Sequence, residues 1–189
     1  MTPRQIYMAC RFKSVFMRRK PIFKLIVRWH EGKLKLPAEL ESNKMGYFSS
    51  INTLEKFIRE ALSGKKNTWY LEKNVSFRVF EVTKYYLDKN SATAGEWVYD
   101  GAGELTGGYD GPDIMPFYGR SADQCRFKNG DRIMFLQGNK LIPGIIAGMP
   151  FSKAPENTRL DQSDDCYFVD TGPRWENHSH PWVHHVFPC

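Results

Sequence analysis

The chain has 189 residues, 41% of them hydrophobic and 14% aromatic, which is enough for one domain or two small ones and excludes global disorder. No run of residues approaches the roughly 18 to 20 apolar positions that span a bilayer, and basic residues interrupt every candidate secretory signal. The net charge of +6 comes from one end, because the first 35 residues hold ten Lys and Arg against Glu31 alone, whereas the other 17 Lys and Arg face 20 Asp and Glu.

Residues 1–20 are predicted to form a basic N-terminal extension in which aromatic and aliphatic side chains are interleaved with the charges. This asymmetry favours an anionic partner, either a nucleic acid or an acidic protein, including one that itself mimics or binds nucleic acid, although a solvated surface needs no partner. Lys and Arg would neutralise phosphates, and an aromatic ring would stack on bases. The predicted contact residues are Arg11, Arg18, Arg19, Lys20, Lys24, Arg28 and Trp29.

Residues 21–107 are predicted to form a β-α-β-β unit, with its first strand at Ile22 to Trp29, where charged and apolar residues alternate. A polar stretch from residue 30 to 45 has room for a short helix at Pro37 to Leu40. The main helix is predicted at 51–63 from apolar residues at helical spacing, with Gly64 placed to end it. Its candidate N-caps are Ser49, Ser50 and Asn52, and Asn52 with Glu55 fits a capping box.

The second part of this unit is predicted to be antiparallel sheet. Residues 75–87 alternate as a long strand with apolar residues on both faces. A hairpin follows at 97–106, in which Asp100 and Gly101 are expected to supply a turn with positive φ. The segment 107–116 is dense in Gly, Pro and Asp and is the best candidate boundary.

Residues 108–189 are predicted to form a small all-β domain. A hairpin is expected from strands at 132–136 and 141–149, with Pro143 on an edge or at a bulge. A long polar loop at 151–165 precedes two last strands at 166–170 and 182–187. The predicted fold class is therefore α+β, an N-terminal unit with one main helix followed by a small β-barrel or half-barrel. Each half is small, so we expect the two to pack together.

The segment 126–147 resembles the opening of small SH3-like β-barrels, and KOW-type modules in particular. The matching features are the Gly130-Asp131 turn, the tight hairpin at Gly138-Asn139 and the return strand with Gly144-Ile145-Ile146. The resemblance implies an SH3-like fold and a role in binding RNA, ribosomes, DNA or proline-rich peptides, or in supporting another domain. The whole chain also resembles small proteins of gut bacteria and their mobile elements, a likeness that implies a context and no activity.

The four cysteines show neither a disulfide framework nor a zinc-ribbon spacing. Cys10, Cys125, Cys166 and Cys189 are far apart in the chain, and thiols used in this way are typical of a reducing cytoplasm.

The histidine-rich tail is the candidate metal site. Its four imidazoles suit Zn²⁺, but adjacent residues on a strand face opposite sides, so at most three can converge. The spacing matches no zinc signature, and we expect core packing rather than a metal or any other cofactor. The candidate ligands are His178, His180, His184 and His185, with Asp164, Asp165 or Cys166 to complete the site.

No motif establishes catalysis. Adjacent Asp164 and Asp165 are typical turn formers, and Cys166 with His180 or His184 is a possible but unsupported thiolate–imidazole pair. The Gly-rich segments at 101–103 and 107–108 precede no predicted helix, which argues against a phosphate cradle. We therefore expect a non-enzymatic protein that contacts nucleic acid or a nucleoprotein complex. The alternatives are a mobile-element or phage inhibitor that blocks a host defence protein, and a metal-assisted hydrolase built on the histidines.

Overall fold

The computed structural model describes residues 20–65, 75–86, 94–110, 125–150, 166–172, 178–179, 181 and 183–189. Within these ranges the chain forms one α-helix, eleven β-strands and a short 3-10 turn at Val183–His185. The elements are β1 (Pro21–Glu31), β2 (Ala38–Glu39), β3 (Glu41–Phe48), α1 (Ile51–Leu62), β4 (Val75–Tyr86), β5 (Gly95–Asp100), β6 (Leu105–Asp110), β7 (Arg132–Gln137), β8 (Lys140–Gly148), β9 (Phe168–Asp170), β10 (His178–Ser179) and β11 (Val186–Pro188). The predicted α+β class is confirmed.

The first sheet has the strand order β3-β1-β4-β5-β6, and all its neighbouring strands are antiparallel. Alternate residues of β1 from Phe23 to Trp29 are buried on the face that α1 covers. The strand β4 is apolar on both faces, as its sequence predicts: Phe80 and Val82 pack towards α1, whereas Phe77 and Val79 pack on the opposite face. The first sheet is therefore the central layer of the molecule.

The helix α1 begins and ends close to its predicted bounds. Ser50 is the N-cap, and its hydroxyl accepts a hydrogen bond from the backbone N–H of Thr53. The predicted capping box of Asn52 and Glu55 is wrong, because Ser50 caps the helix and the Glu55 carboxylate accepts a hydrogen bond from Tyr99. Leu54 and Ile58 are buried, along with Ala61 one turn later, and form the face that packs on the sheet.

The second sheet has the order β10-β9-β8-β7-β11, with β2 paired to β8, and it curls into a half-barrel. The predicted hairpin is confirmed as β7 and β8, joined by a turn at Gly138-Asn139. On the side of β8 that faces away from β7, β2 pairs with residues 140 and 141, and β9 pairs with residues 145 to 148. Pro143 is in register with Met134 on β7, but on the other side of β8 it lies between β2 and β9. This local edge suits a residue without a backbone N–H, as predicted.

The two sheets share one hydrophobic cluster, so the two halves of the chain pack together as expected. The strand β2 belongs by sequence to the first half, yet it pairs with β8 of the second sheet. The shared cluster comprises Leu40, Phe77, Val79, Val98, Leu136, Leu141 and Phe187. The described part of the molecule is thus layered as helix, first sheet and second sheet.

The polar stretch 30–45 differs from its prediction. It holds β2 and most of β3, and no helix forms at residues 37–40. Pairing of Ala38 with Leu141 takes precedence over local preference here. The strand β3 is polar because it lies at the edge of the first sheet, where one face and one side of a strand meet solvent.

The β5–β6 hairpin also departs from the prediction in its detail. The residue with positive φ in the turn is Gly103, at 83°, rather than Gly101. The Asp100 carboxylate holds the turn by accepting hydrogen bonds from the backbone N–H groups of Ala102 and Glu104. The predicted boundary at 107–116 is partly strand, because β6 continues to Asp110, and residues 111–116 lie outside the described residues.

A close backbone approach explains one of these strand glycines. A Cβ atom at Gly108 would overlap the carbonyl oxygen of Glu96 and the Cα of Trp97 on β5. Glycine at position 108 therefore allows β5 and β6 to pair closely, and it does not mark a flexible linker.

The last predicted strand, 182–187, is replaced in its first half by the 3-10 turn, and β11 covers only Val186–Pro188. The predicted loop at 151–165 lies outside the described residues. In the part of the chain that the structure describes, no helix has the length and apolar character to cross a membrane.

Candidate functional site

The outer face of the first sheet, opposite α1, carries a row of polar residues across four strands. Lys24 on β1 is in register with Tyr47 on β3 and with Thr83 on β4, and Thr83 is in register with Glu96 on β5. Neighbouring strands lie about 4.8 Å apart, so Lys24 and Glu96 are separated by roughly 10 Å. The second sheet packs on this face at Phe77, Val79 and Val98.

One end of this row forms a hollow, which we call the tyrosine hollow, with a volume of about 610 Å³. The side chain of Tyr47 is 60% exposed there, which is unusual for so large a ring. The hollow is lined by Ile22, Lys24, Tyr47, Tyr85 and Tyr86. It therefore combines aromatic faces with a cation in an open depression.

A second lysine lies against an aromatic ring at the hollow. The Nζ atom of Lys44 is 5.1 Å from the ring centroid of Tyr47, which is within cation–π range. The Nζ atom of Lys84 is 5.3 Å from the ring centroid of Tyr86, but Lys84 is in register with Phe23 and so belongs to the face that α1 covers. The Lys44–Tyr47 pair thus places a positive charge next to an aromatic face of the hollow.

Arg28 and Trp29, two of the predicted contact residues, have other roles in the fold. The Nε of Arg28 donates a 2.8 Å hydrogen bond to the carboxylate of Glu81, and both side chains are largely buried, so this charge is already balanced. Trp29 is 3% exposed and lies in the core under α1, with its Nε1 donating to Glu31. Its ring is not available for stacking on a base.

The remaining predicted contacts lie on or before β1. Lys20 is exposed and immediately precedes β1, so it stands at the Ile22 end of the tyrosine hollow. Lys24 lines the hollow itself. Arg11, Arg18 and Arg19 lie outside the described residues.

A second group of polar side chains, which we call the His–Glu cluster, lies where the 3-10 turn meets β5. It comprises Glu96, His184 and His185, whose ligand atoms all lie within 4.8 Å of one another. The Nε2 atom of His185 is 2.8 Å from Oε1 of Glu96, and the Nε2 atom of His184 is 4.0 Å from the same oxygen. The two imidazole rings meet edge to face, with centroids 4.5 Å apart.

Burial sets the protonation of this cluster. The side chain of His184 is 3% exposed, and its burial, reinforced by the neighbouring His185, lowers its pKa from 6.5 to about 3. Burial is the largest single influence and alone would raise the pKa of Glu96, but the hydrogen bond from His185 and the attraction of the neighbouring basic side chains together outweigh it, and the pKa of this carboxyl is lowered. At neutral pH the cluster therefore holds a neutral imidazole beside an ionised carboxylate.

The structure forms this cluster from residues that differ from the predicted metal set. Glu96 was not among the candidates, whereas His184 and His185 were. The expectation that these two neighbours face opposite sides is wrong, because they lie in a 3-10 turn rather than a strand. His178 lies in β10, paired with Asp170, so its backbone is in the second sheet. His180, Asp164 and Asp165 lie outside the described residues, and Cys166 is buried.

Comparisons of the chain with protein-family models, with curated proteins and with solved structures gave no significant match.

Proposed function

We propose that the protein binds single-stranded nucleic acid at the tyrosine hollow and its flanking lysines. The observation that carries the proposal is the exposed ring of Tyr47 in register with Lys24, next to Tyr85. Bases of any sequence stack on such rings, while lysines neutralise the phosphates between them. The single strand is favoured over the duplex because the bases of a duplex are already stacked on one another.

The charge distribution supports the same proposal. Lys20, Lys24 and Lys44 are grouped around the hollow, and the basic residues 1–19 precede the strand that lines it. A nucleic acid bound in the hollow would therefore meet the most basic part of the chain. The predicted contacts Arg11, Arg18 and Arg19 belong to this proposal as additional phosphate ligands.

The second sheet has a supporting role in this proposal. We take its half-barrel as an SH3-like module that follows a β-α-β-β-related unit, and its hairpin at β7 and β8 as the core of that module. It covers the Phe77 end of the first sheet and leaves the hollow open. Cytoplasmic placement is also part of the proposal, because Cys125, Cys166 and Cys189 are free thiols.

The test measures the binding of labelled single- and double-stranded DNA and RNA by fluorescence anisotropy at about 50 and 200 mM salt. If three lysines each neutralise one phosphate, the affinity for a single strand falls with a logarithmic slope of about −2.1, which is roughly 20-fold over this range. Tyr47→Ala is expected to weaken binding by about 10- to 100-fold without changing the salt slope. Lys24→Gln is expected to reduce the slope by about 0.7.

Lys56→Gln is the charge-matched control, because Lys56 is exposed on α1, on the other side of the first sheet. It should bind like the wild type. Absence of binding at low salt would refute the proposal and favour an acidic protein partner, such as the host defence protein that a mobile-element inhibitor would block. Binding that is unaffected by both Tyr47→Ala and Lys24→Gln would also refute it.

A further inference from the structure

The His–Glu cluster owes its geometry to the 3-10 turn. Two adjacent residues on a strand point to opposite faces, but in the turn His184 and His185 both reach the carboxylate of Glu96. The cluster therefore brings together three side chains that the linear sequence keeps far apart, since Glu96 and His185 are separated by 89 positions.

The turn is fixed to the first sheet by a buried hydroxyl. The Oγ1 atom of Thr106 on β6 lies 2.9 Å from the carbonyl oxygen of His184 and 2.9 Å from that of Val98. The single hydroxyl thus lies between the two carbonyl oxygens. This contact links the His184 backbone to the β5–β6 hairpin and so positions the two imidazoles next to Glu96.

We propose that Glu96, His184 and His185 form a binding site for one zinc ion. Two imidazoles and one carboxylate are a zinc donor set that leaves a fourth position open for water. Magnesium and calcium prefer oxygen ligands and fit this set poorly. The inference does not depend on nucleic-acid binding.

The distances are close to those that zinc requires. Nitrogen and oxygen ligands lie about 2.0 to 2.1 Å from zinc, so in a tetrahedral site they lie about 3.4 Å from one another. The contact between His185 and Glu96, now 2.8 Å, must lengthen by about half an ångström, and that between His184 and Glu96, now 4.0 Å, must shorten by a similar amount. The two imidazole nitrogens, which lie within 4.8 Å of each other, must approach by up to about 1.4 Å. Small rotations of side chains on a fixed backbone provide such changes.

One contact of the cluster must be replaced when a metal binds. Zinc binds the neutral imidazole and the ionised carboxylate, whereas Nε2 of His185 and Oε1 of Glu96 now share a proton across 2.8 Å. Zinc takes the place of this proton, which is released to water or moves to Nδ1 of His185.

The test uses full-length protein without an affinity tag, dialysed against zinc sulfate and then against metal-free buffer. Elemental analysis is expected to find one zinc per chain, and calorimetric titration of the metal-free protein should give the same stoichiometry. Glu96→Gln and His185→Gln keep the size of each side chain but remove a ligand, and each should weaken zinc binding at least tenfold. His30→Gln is the matched control, since His30 is bonded to the backbone oxygen of Glu39, away from the cluster, and it should bind as the wild type does.

Zinc K-edge X-ray absorption of the wild-type protein provides a second measurement that requires no variant to fold. Two imidazole ligands and a coordination number of four are expected. Absence of zinc from the wild type would overturn the proposal. Full retention of zinc by both Glu96→Gln and His185→Gln would overturn it too, and would assign the metal to other histidines of the tail.

Discussion

Replacement of Leu141 by alanine is expected to destabilise both sheets together, because Leu141 lies in the hydrophobic cluster that they share. Its side chain is 0% exposed and packs in the layer between β8 and the first sheet. Truncation of a fully buried leucine costs about 2 to 5 kcal/mol, made up of the lost transfer free energy and the cavity that remains. We expect about 3 kcal/mol, since rigid strands surround the site and limit its collapse.

Leu105→Ala is the matched control. Leu105 also lies in a strand, β6, but is 40% exposed, so the same change removes the same atoms and the same strand preference without leaving a buried cavity. Its expected cost is below about 1 kcal/mol. The difference between the two variants therefore isolates the packing between the sheets.

The assay is equilibrium unfolding in urea, combined with hydrogen exchange resolved to peptides. A single transition should shift to lower urea in Leu141→Ala. A loss of about 3 kcal/mol corresponds to roughly hundredfold faster exchange wherever exchange requires global unfolding, since each 1.4 kcal/mol is a factor of ten. The decisive amides are those of β1 and β4, which belong to the first sheet and do not pair with β8. Unchanged exchange in β1 and β4, with acceleration confined to β7 and β8, would show that the sheets unfold independently and refute the reasoning.

Two other substitutions test single contacts. Gly108→Ala should lower the free energy of unfolding, measured in urea, by about 2 kcal/mol or more, because the added Cβ would overlap the backbone of β5 at Glu96. A variant as stable as the wild type would contradict this close approach of the two strands. Tyr99→Phe should cost about 1 kcal/mol at pH 7, through loss of the 2.9 Å hydrogen bond to Glu55. Burial, and then this hydrogen bond, raise the pKa of Tyr99 above its usual 10, so the unfolded wild type releases the proton first and its stability falls as the pH rises above 10. By pH 11 this loss is about 1.4 kcal/mol, and the two proteins should be about equally stable; a gap as large as that at pH 7 would contradict the assignment.

Local sequence patterns predicted the helices and strands that are determined by residues close together in the chain. The helix α1 follows from apolar residues at helical spacing and a following Gly64, and the β7–β8 hairpin follows from its turn residues. The strand β3 was not predicted because an edge strand needs few apolar residues. A connection of several residues also separates β3 from its partner β1, so no short hairpin signal links the two. The pairing of β2 with β8 has no local signal at all, since it joins two halves of the chain.

The candidate site was predictable only in part. Alternation in β1 already placed Trp29 on the same face as Phe23, Leu25 and Val27, so its burial could have been inferred from the sequence. The position of Glu96 next to His185 depends on contacts across most of the second half of the chain, and no spacing rule reveals it. The exposure of Tyr47 likewise requires knowing that β3 is an edge strand.

The placement of the last described residues constrains how the chain folds during its synthesis. Phe77 and Val79 are packed under a cluster that includes Phe187, and β7 gains its partner β11 only at Val186–Pro188. When the whole first sheet has emerged from the ribosome, one face of the sheet therefore stays partly uncovered until residue 188 has also emerged. Non-local pairings of this kind fold slowly and expose apolar surface in the meantime. A chain truncated before residue 183 would keep Leu136 and Leu141 but lose Phe187, and it would leave both the apolar face of the first sheet and the edge of β7 partly uncovered.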